Sequence, residues 1–472
     1  MQTYYPYVAG KFTGSGDAHV ITNPNTGEAF ASTWLTGRKE LELAVGAAKD
    51  VRELLKQMPA YERYEALMKI REGIIARRQV FARLICMESG KPVRYALAET
   101  DRSIQVFTVA AEESRRLPSE YIAIDWTKAG KGKEGLVRYF PVGIVAGISP
   151  FNFPLNLAAH KIAPAIAAGC PIILKPSSLT PLSTLMLSQV IAETALPPGA
   201  VSVLPMNRET GNLLVTDERI SLLSFTGSPA VGWEMKRTAG RKKVVLELGG
   251  NAGVLISAGA DLQDAAVKCA AGAFSYSGQV CIHTQRIYII KELFAEFRDK
   301  FVSASARLKE GDPMDTETDI ACMIDLPNAV RVENWIREAA GNGAEVLLGG
   351  KRRENFVEPT ILTGTKPEMK VCCEEIFGPV VIIEPVESFP EGISRINEGR
   401  FGLQAGVFTN SISEMNCAFD QLEVGGVIIN DVPTFRTDHM PYGGVKDSGL
   451  GREGVRYAIY DMLEPRLLVK NR

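Results

Sequence analysis

Between residues 142 and 248 the chain alternates apolar runs of strand length with helical segments, and that alternation constrains its fold more than any other feature. The runs 142–148, 171–174, 200–204, 220–225 and 244–248 are apolar on successive residues, as strands covered on both faces must be. Helical segments separate them at 155–168 (closed by Gly169), 181–195, 209–215 and 229–239. Strands joined this way pair in parallel through right-handed crossovers, so the stretch predicts an open α/β sheet. After Gly250 a second α/β stretch begins, with helices expected at 262–277, 292–308 and 327–342.

The flanks read differently. The N-terminal part, as far as Leu117, is expected to be mainly helical: 41–57, 61–88, a break at Gly90-Lys91-Pro92, then 95–116. Residues 121–140 hold two extended runs around a charged, glycine-rich turn at 128–135, the pattern of a hairpin. It has few apolar residues of its own to bury, so its expected packing partner is elsewhere, on another subunit. A strand-like tail, 464–470, could pair with it.

At 472 residues the chain exceeds a single hydrophobic core and suits two or three domains. Its net charge of −2 offers no electrostatic reason to expect nucleic acid or an anionic membrane as partner. No apolar run approaches the roughly 18–20 residues of a membrane span, and the first residues lack a signal peptide's basic start. A cytoplasmic location is the default expectation. The eight cysteines include no CxxC pair and the four histidines are far apart, so neither a disulfide framework nor a metal site is expected. Most of these thiols, the adjacent Cys372 and Cys373 included, read as packing.

Ligands of open parallel sheets bind at the carboxyl ends of the strands. This chain places there Ser149-Pro-Phe-Asn152-Phe-Pro154, Lys175-Pro-Ser-Ser178, Thr226-Gly-Ser-Pro229 and Glu247-Leu-Gly-Gly250. Ser228 is a good helix N-cap, Pro229 suits the first helical position, and Gly227 and Gly232 let backbone approach a ligand. Such a helix start favours an anion such as pyrophosphate. An ordinary capped helix carries the same signature; Lys175, on a neighbouring strand end, tilts the reading toward a nucleotide. Cys281 follows a helix rich in small residues, in Gly278-Gln-Val-Cys281. A lone cysteine is usually core, but here an amide (Asn152) and a carboxylate (Glu247) stand in the loops as well. A thiolate attacking an aldehyde needs a donor for the developing oxyanion, a hydride acceptor and a base for water.

With these residues in view the sequence resembles the aldehyde dehydrogenase superfamily over nearly its whole length. The carrying segments are Pro150-Phe-Asn-Phe-Pro154, Lys175-Pro-Ser, Phe225-Thr-Gly-Ser228, Leu246-Glu-Leu-Gly-Gly250, Gly278-Gln-Val-Cys281, Glu374-Glu-Ile-Phe-Gly-Pro379 and Pro441-Tyr-Gly-Gly-Val-Lys-Asp-Ser-Gly449. The resemblance implies an aldehyde dehydrogenase-like fold: a Rossmann-type cofactor domain (1–120 and 142–249), an α/β catalytic domain (250–450), and an oligomerisation hairpin and tail (121–141 and 459–472). It implies Cys281 as nucleophile, Asn152 with the Cys281 amide as oxyanion donors, and Glu247 as the base for deacylation. It implies NAD or NADP held by Lys175, Ser228 and Glu375, with Phe377 near the nicotinamide; Gly227 and Ser178 belong to the same set. Ser178 stands where NAD-preferring relatives often carry a glutamate, which predicts a relaxed or NADP-leaning choice. Glu374 reads as a solvated neighbour and Arg286 as structural. The expected assembly is a homodimer or homotetramer.

The segment 151–161 is similar to the subgroup acting on phosphonoacetaldehyde, lactaldehyde, succinic semialdehyde and glyceraldehyde 3-phosphate. With Arg102, His160 and Arg436 as candidate substrate residues, a short anionic aldehyde is expected. The plainer alternative pairs Arg102 with Glu99 or another local carboxylate, makes His160 a capped interior histidine and turns Arg436 to solvent. Two rival functions remain: a CoA-acylating dehydrogenase, disfavoured by the presence of Glu247, and a non-catalytic member of the fold, disfavoured by Cys281 and Asn152.

Overall fold

The computed structural model describes residues 1–471; residue 472, the last of the expected tail, lies outside them. Its first sheet is built on β1 (Ile144–Ile148), β2 (Ile172–Lys175), β3 (Val201–Val203), β4 (Ile220–Thr226) and β5 (Lys243–Glu247). They lie in the spatial order β5-β4-β1-β2-β3, and every pairing among them is parallel. The order reverses between β1 and β4, so a crevice opens there at the carboxyl ends of the strands. Short antiparallel strands cap both edges: Gly449–Leu450 on β5 and Tyr7–Val8 on β3. The chain therefore returns to its first sheet after completing the second.

The crevice is bounded by three helices. α1 (Val93–Ser114) packs on α2 (Pro154–Ala168), which follows β1, and α3 (Pro229–Thr238) follows β4. Every residue of α2 is buried, which explains its apolar composition all round. Its polar exceptions, Asn156, His160 and Lys161, cluster on one side by the i, i+4 rule. The second sheet has seven strands, six of them in parallel register from Thr360–Thr363 to Gly426–Ile429, with Glu345–Leu348 antiparallel at one edge. Its core is separate, built around Val254, Phe297, Phe301, Ile287 and Val381.

The tail Leu463–Asn471 pairs antiparallel with Lys133–Pro141, which in turn pairs with Ser119–Ala123. Leu467, Leu468 and Val469 stand about half exposed on this three-stranded sheet, and Trp126 is 89% exposed. No helix among the described residues is long and apolar enough to cross a membrane.

The N-terminal expectation needs correction. Before the first helix come strands at Gln2–Thr3, Tyr7–Val8, Lys11–Phe12, Asp17–Thr22 and Ala29–Leu35. Only Ile21 is buried along Asp17–Thr22, so that strand shows no alternation to read. The predicted helix 61–88 is two helices, Ala60–Ala76 and Arg78–Ser89, that meet at Arg77. The helix expected over 262–277 ends at Phe274, because Tyr276 and Ser277 take left-handed backbone (φ 50° and 53°).

Candidate active site

A cavity of about 700 Å³ lies at the ligand edge of the first sheet, where the second sheet's loops close over it. Nine of the twelve residues singled out from the sequence line it: Asn152, Gly227, Ser228, Glu247, Cys281, Glu375, Phe377, Arg102 and Arg436. Lys175, Ser178 and His160 do not.

Cys281 is delivered by the left-handed turn at Tyr276–Ser277 and keeps an open face on the cavity. Its Sγ lies 3.0 Å from the Tyr442 hydroxyl. Burial pushes the thiol up to about 11, against the hydrogen bond from Tyr442 and the field of Arg436. Asn152 ends the loop after β1. Its Nδ2 donates to the Gln279 carbonyl at 3.0 Å, and the amide's second N–H remains to point elsewhere.

Glu247 ends β5 and is 3% exposed, yet neither carboxyl oxygen has a hydrogen-bond partner among the described residues. Burial, with the nearby Glu453 carboxylate, holds its pKa well above the ordinary range. Both shifts have one consequence for pH. Raising the pH adds thiolate at Cys281 and carboxylate at Glu247, the forms that a nucleophile and a general base would use. Turnover is accordingly expected to climb from about pH 6 to pH 9. A kcat profile that is flat or falls across that range would contradict this electrostatic picture.

The nucleotide end is open on the crevice side. Ser228 sits at the N-cap of α3 with Pro229 behind it, but its hydroxyl makes no capping bond, contrary to the sequence reading, and is left free toward the crevice. Gly227 and Gly232 have another reason than ligand approach: a Cβ at Gly227 would lie 2.5 Å from the Phe225 ring, and one at Gly232 2.4 Å from Leu248. Lys175 is mostly buried and its Nζ contacts only the Pro176 carbonyl, at 3.5 Å. Burial without an anionic neighbour lowers its pKa, which marks an ammonium awaiting a partner. Ser178 lies three residues further on, its carbonyl accepting a hydrogen bond from His19 Nε2 at 2.9 Å. Glu375 accepts from the Gly250 N–H at 2.9 Å, and burial lifts its carboxyl to about 7. Phe377 stands edge-on to Phe151 (5.8 Å between centroids) with a positive φ of 43°, a conformation that bulky residues adopt only when their surroundings impose it.

The three basic residues meet, though not as bare charges. Arg102 binds Asp438 at 2.7 and 3.3 Å. His160 is interior, its Nε2 2.8 Å from the same carboxylate and its Nδ1 3.4 Å from Glu453. Burial keeps its pKa low despite both anions. Arg436 does not face solvent. Its side chain is 6% exposed, pairs with Glu453 at 2.6 Å and lies 3.7 Å over the Tyr442 ring, while its Nε is an orphaned buried donor. Burial alone would raise Asp438; His160 and Arg102 outweigh it and keep that carboxylate ionised.

Arg286 is saturated by the carbonyls of Asn251, Arg395 and Ile396. Cys372 packs in a core cluster, with Cys373 half-buried beside it. Sequence reasoning missed Tyr442, although its motif was in hand, along with Asp438, Glu453 and the pair Lys91–Glu99.

A parallel sheet with its crevice at the order reversal is the architecture of nucleotide-binding α/β enzymes. More narrowly, the chain belongs to the aldehyde dehydrogenase family, whose model matches residues 12–468. It is 40% identical to the 3-sulfolactaldehyde dehydrogenase of Priestia megaterium, over 100% of this chain and 98% of that one. The structure of aldehyde dehydrogenase 21 from Physcomitrella patens, in complex with the reaction product succinate, is 42% identical with a TM-score of 0.98, covering 100% of this chain and 98% of that one. The glyceraldehyde-3-phosphate dehydrogenase GapN from Methanocaldococcus jannaschii, complexed with NADP, is 36% identical with a TM-score of 0.93, covering 98% of this chain and 100% of that one. The fold class and the dehydrogenase activity expected from the sequence are borne out at that level.

Proposed function

We propose that this chain oxidises a short anionic aldehyde to its carboxylic acid, using NAD or NADP and a thioester on Cys281. The observation that carries the chemistry is the cavity itself, where one thiol, one amide and one unpartnered carboxyl converge. The Cys281 sulfur adds to the aldehyde carbon, and the oxygen takes hydrogen bonds from the free Asn152 N–H and the Cys281 amide. Bound in the crevice, the nicotinamide supplies the hydride acceptor. Lys175, the Ser228 hydroxyl with the start of α3, and Glu375 form a set suited to a ribose–pyrophosphate chain; Gly227 and Ser178 border it. Glu247, in its ionised form, takes a proton from the water that opens the thioester. Its presence favours water over CoA as the acceptor, and Cys281 with Asn152 argues against a non-catalytic protein.

The anionic substrate is supported by Arg436, whose orphaned Nε and buried charge border the same cavity as Cys281, with Arg102 beside it. His160 acts behind them, through Asp438. The relatives named for sulfolactaldehyde and glyceraldehyde 3-phosphate, and the one holding succinate, agree in a short chain ending in an anion. In Arg102→Ala, kcat/KM for succinic semialdehyde is expected to drop by about 10–100-fold, the value of a charged hydrogen bond, with propanal changed far less. Arg436→Ala is expected to add a loss of thermal stability, because it strands the buried Glu453 carboxylate. Equal losses for the anionic and neutral aldehydes would refute the anion subsite.

For the cofactor, Ser178 offers no carboxylate to repel a 2′-phosphate, and Lys175 lies close in sequence. NADP is therefore expected to be used at least comparably to NAD. A preference for NAD above about a hundredfold in kcat/KM (~2.7 kcal/mol) would overturn this.

We assign 1–120 and 142–249 to cofactor binding and 250–450 to catalysis, with the last two of these residues returning to the first sheet. Segments 121–141 and 459–472 serve assembly, into a homodimer or homotetramer. The half-exposed leucines and valine of the tail strand are the surface that assembly would cover.

A further inference from the structure

The buried pair Lys91–Glu99 has no part in the chemistry above, yet it touches the segment that carries the oxyanion donor. We propose that it is the positioning unit of Asn152, an inference that rests on the reading of Asn152 as that donor. Lys91 is 0% exposed and Glu99 1%. The Lys91 ammonium pairs with Glu99 and donates to the main-chain carbonyl of Asn152 at 2.6 Å. It also sits 3.8 Å from the centre of the Phe153 ring and 4.5 Å from that of Tyr276, one residue after Asn152 and five before Cys281.

Glu99 completes the clamp. Its second oxygen accepts the N–H groups of Leu155 (3.0 Å) and Asn156 (3.2 Å), two of the unpaired donors at the start of α2. Asn152 is thus held by its carbonyl, by the helix that follows it, and by its Nδ2 on Gln279. The backbone before the amide cannot drift without breaking a charged hydrogen bond in a dry interior. Burying two full charges is costly, and apolar residues of equal volume would fill the space as well. A role in packing alone does not require this pair; a fixed carbonyl 61 positions along the chain does. Burial pulls Lys91 below its ordinary pKa while Glu99 pulls the other way, so the two are retained as a unit. Preorganised donors lose much of their effect when displaced by an ångström.

The test is a double-mutant comparison on the full-length enzyme, using the pre-steady-state burst of NAD(P)H with a saturating aldehyde. Asn152→Ala is expected to slow the burst by roughly 10²–10³-fold. The charge-free variant Lys91→Met/Glu99→Gln is expected to slow it by roughly 10²-fold, with the dissociation constant for the cofactor unchanged. Combining both changes is expected to give a burst no slower than Asn152→Ala alone, within about threefold, because the pair acts through that amide. Additive losses, or a wild-type burst in the pair variant, would overturn the positioning role while leaving Asn152 its own. A wild-type burst in Asn152→Ala would instead overturn the oxyanion reading, and the inference with it. Should the pair variant not fold, Glu99→Gln is read by the same criteria, since its amide oxygen still accepts from the start of α2.

Discussion

Replacing Cys281 by serine is expected to lower aldehyde oxidation by at least about 10⁴-fold, the loss typical of removing a covalent nucleophile. The fold and the cofactor site are expected to survive, because a hydroxyl is close in shape to the thiol, only slightly smaller, and can still hydrogen-bond toward Tyr442. The reason for the loss is intrinsic. A serine hydroxyl has a far higher pKa than the thiol, and among the described residues the only group within hydrogen-bond distance of Sγ is a tyrosine whose own pKa is raised by burial, not a base that would deprotonate it. Iodoacetamide is expected to inactivate the wild type in step with labelling of Cys281, which opens on the cavity. Cys86, Cys170, Cys269, Cys322 and Cys372 are buried, and labelling of the partly exposed Cys373 and Cys417, which do not line the cavity, is expected to leave activity unchanged. Full activity after stoichiometric labelling of Cys281 would end the thioester mechanism.

The central sheet was legible because its strands are covered on both faces and so are mostly apolar, with few polar residues such as Ser202 and Ser224 among them. Cys281 was legible as a candidate nucleophile only through its neighbours in motif, since the residue itself is indistinguishable in sequence from the seven other cysteines. Asp438 and Glu453 were not legible, because a carboxylate buried against arginine reads in sequence as one more surface acid. Their partners come from 17 to 336 positions away, and no local pattern encodes such a meeting. The same distance hid the charge balance of the substrate end. The structure brings Arg102, His160 and Arg436 together around Asp438 and Glu453, as a paired network rather than a bare anion fork, with His160 behind the cavity wall. Lys91 was visible only as part of a helix break. The N-terminal strands escaped because three of them are only two residues long and Asp17–Thr22 buries Ile21 alone, too little pattern to read.

Substituting Glu247 by glutamine is expected to separate the two halves of the reaction. Acylation and hydride transfer use Cys281 and Asn152, so a stoichiometric burst of NAD(P)H is expected to remain. Steady-state turnover is expected to fall by about 10²–10⁴-fold, since water would lose its base. The rise of kcat with pH that Glu247 confers is expected to vanish with it. Stability gives an independent sign. The folded-state pKa of Glu247 is raised above its value in the unfolded chain, so the folded protein binds the proton more tightly. That contribution is fully present below the ordinary carboxyl pKa and is lost as pH climbs toward the folded value. Glutamine carries no such proton and suffers no such loss, and it fills the same volume beside Gly443, where a Cβ would already lie 2.9 Å from the carboxyl. The variant is therefore expected to melt no lower than wild type at pH 6 and higher than wild type at pH 8. Rapid-mixing absorbance and melting curves at the two pH values measure both effects. A burst that disappears together with turnover would move Glu247 to the acylation half. A variant less stable at pH 8 would mean that the carboxylate has a partner when ionised.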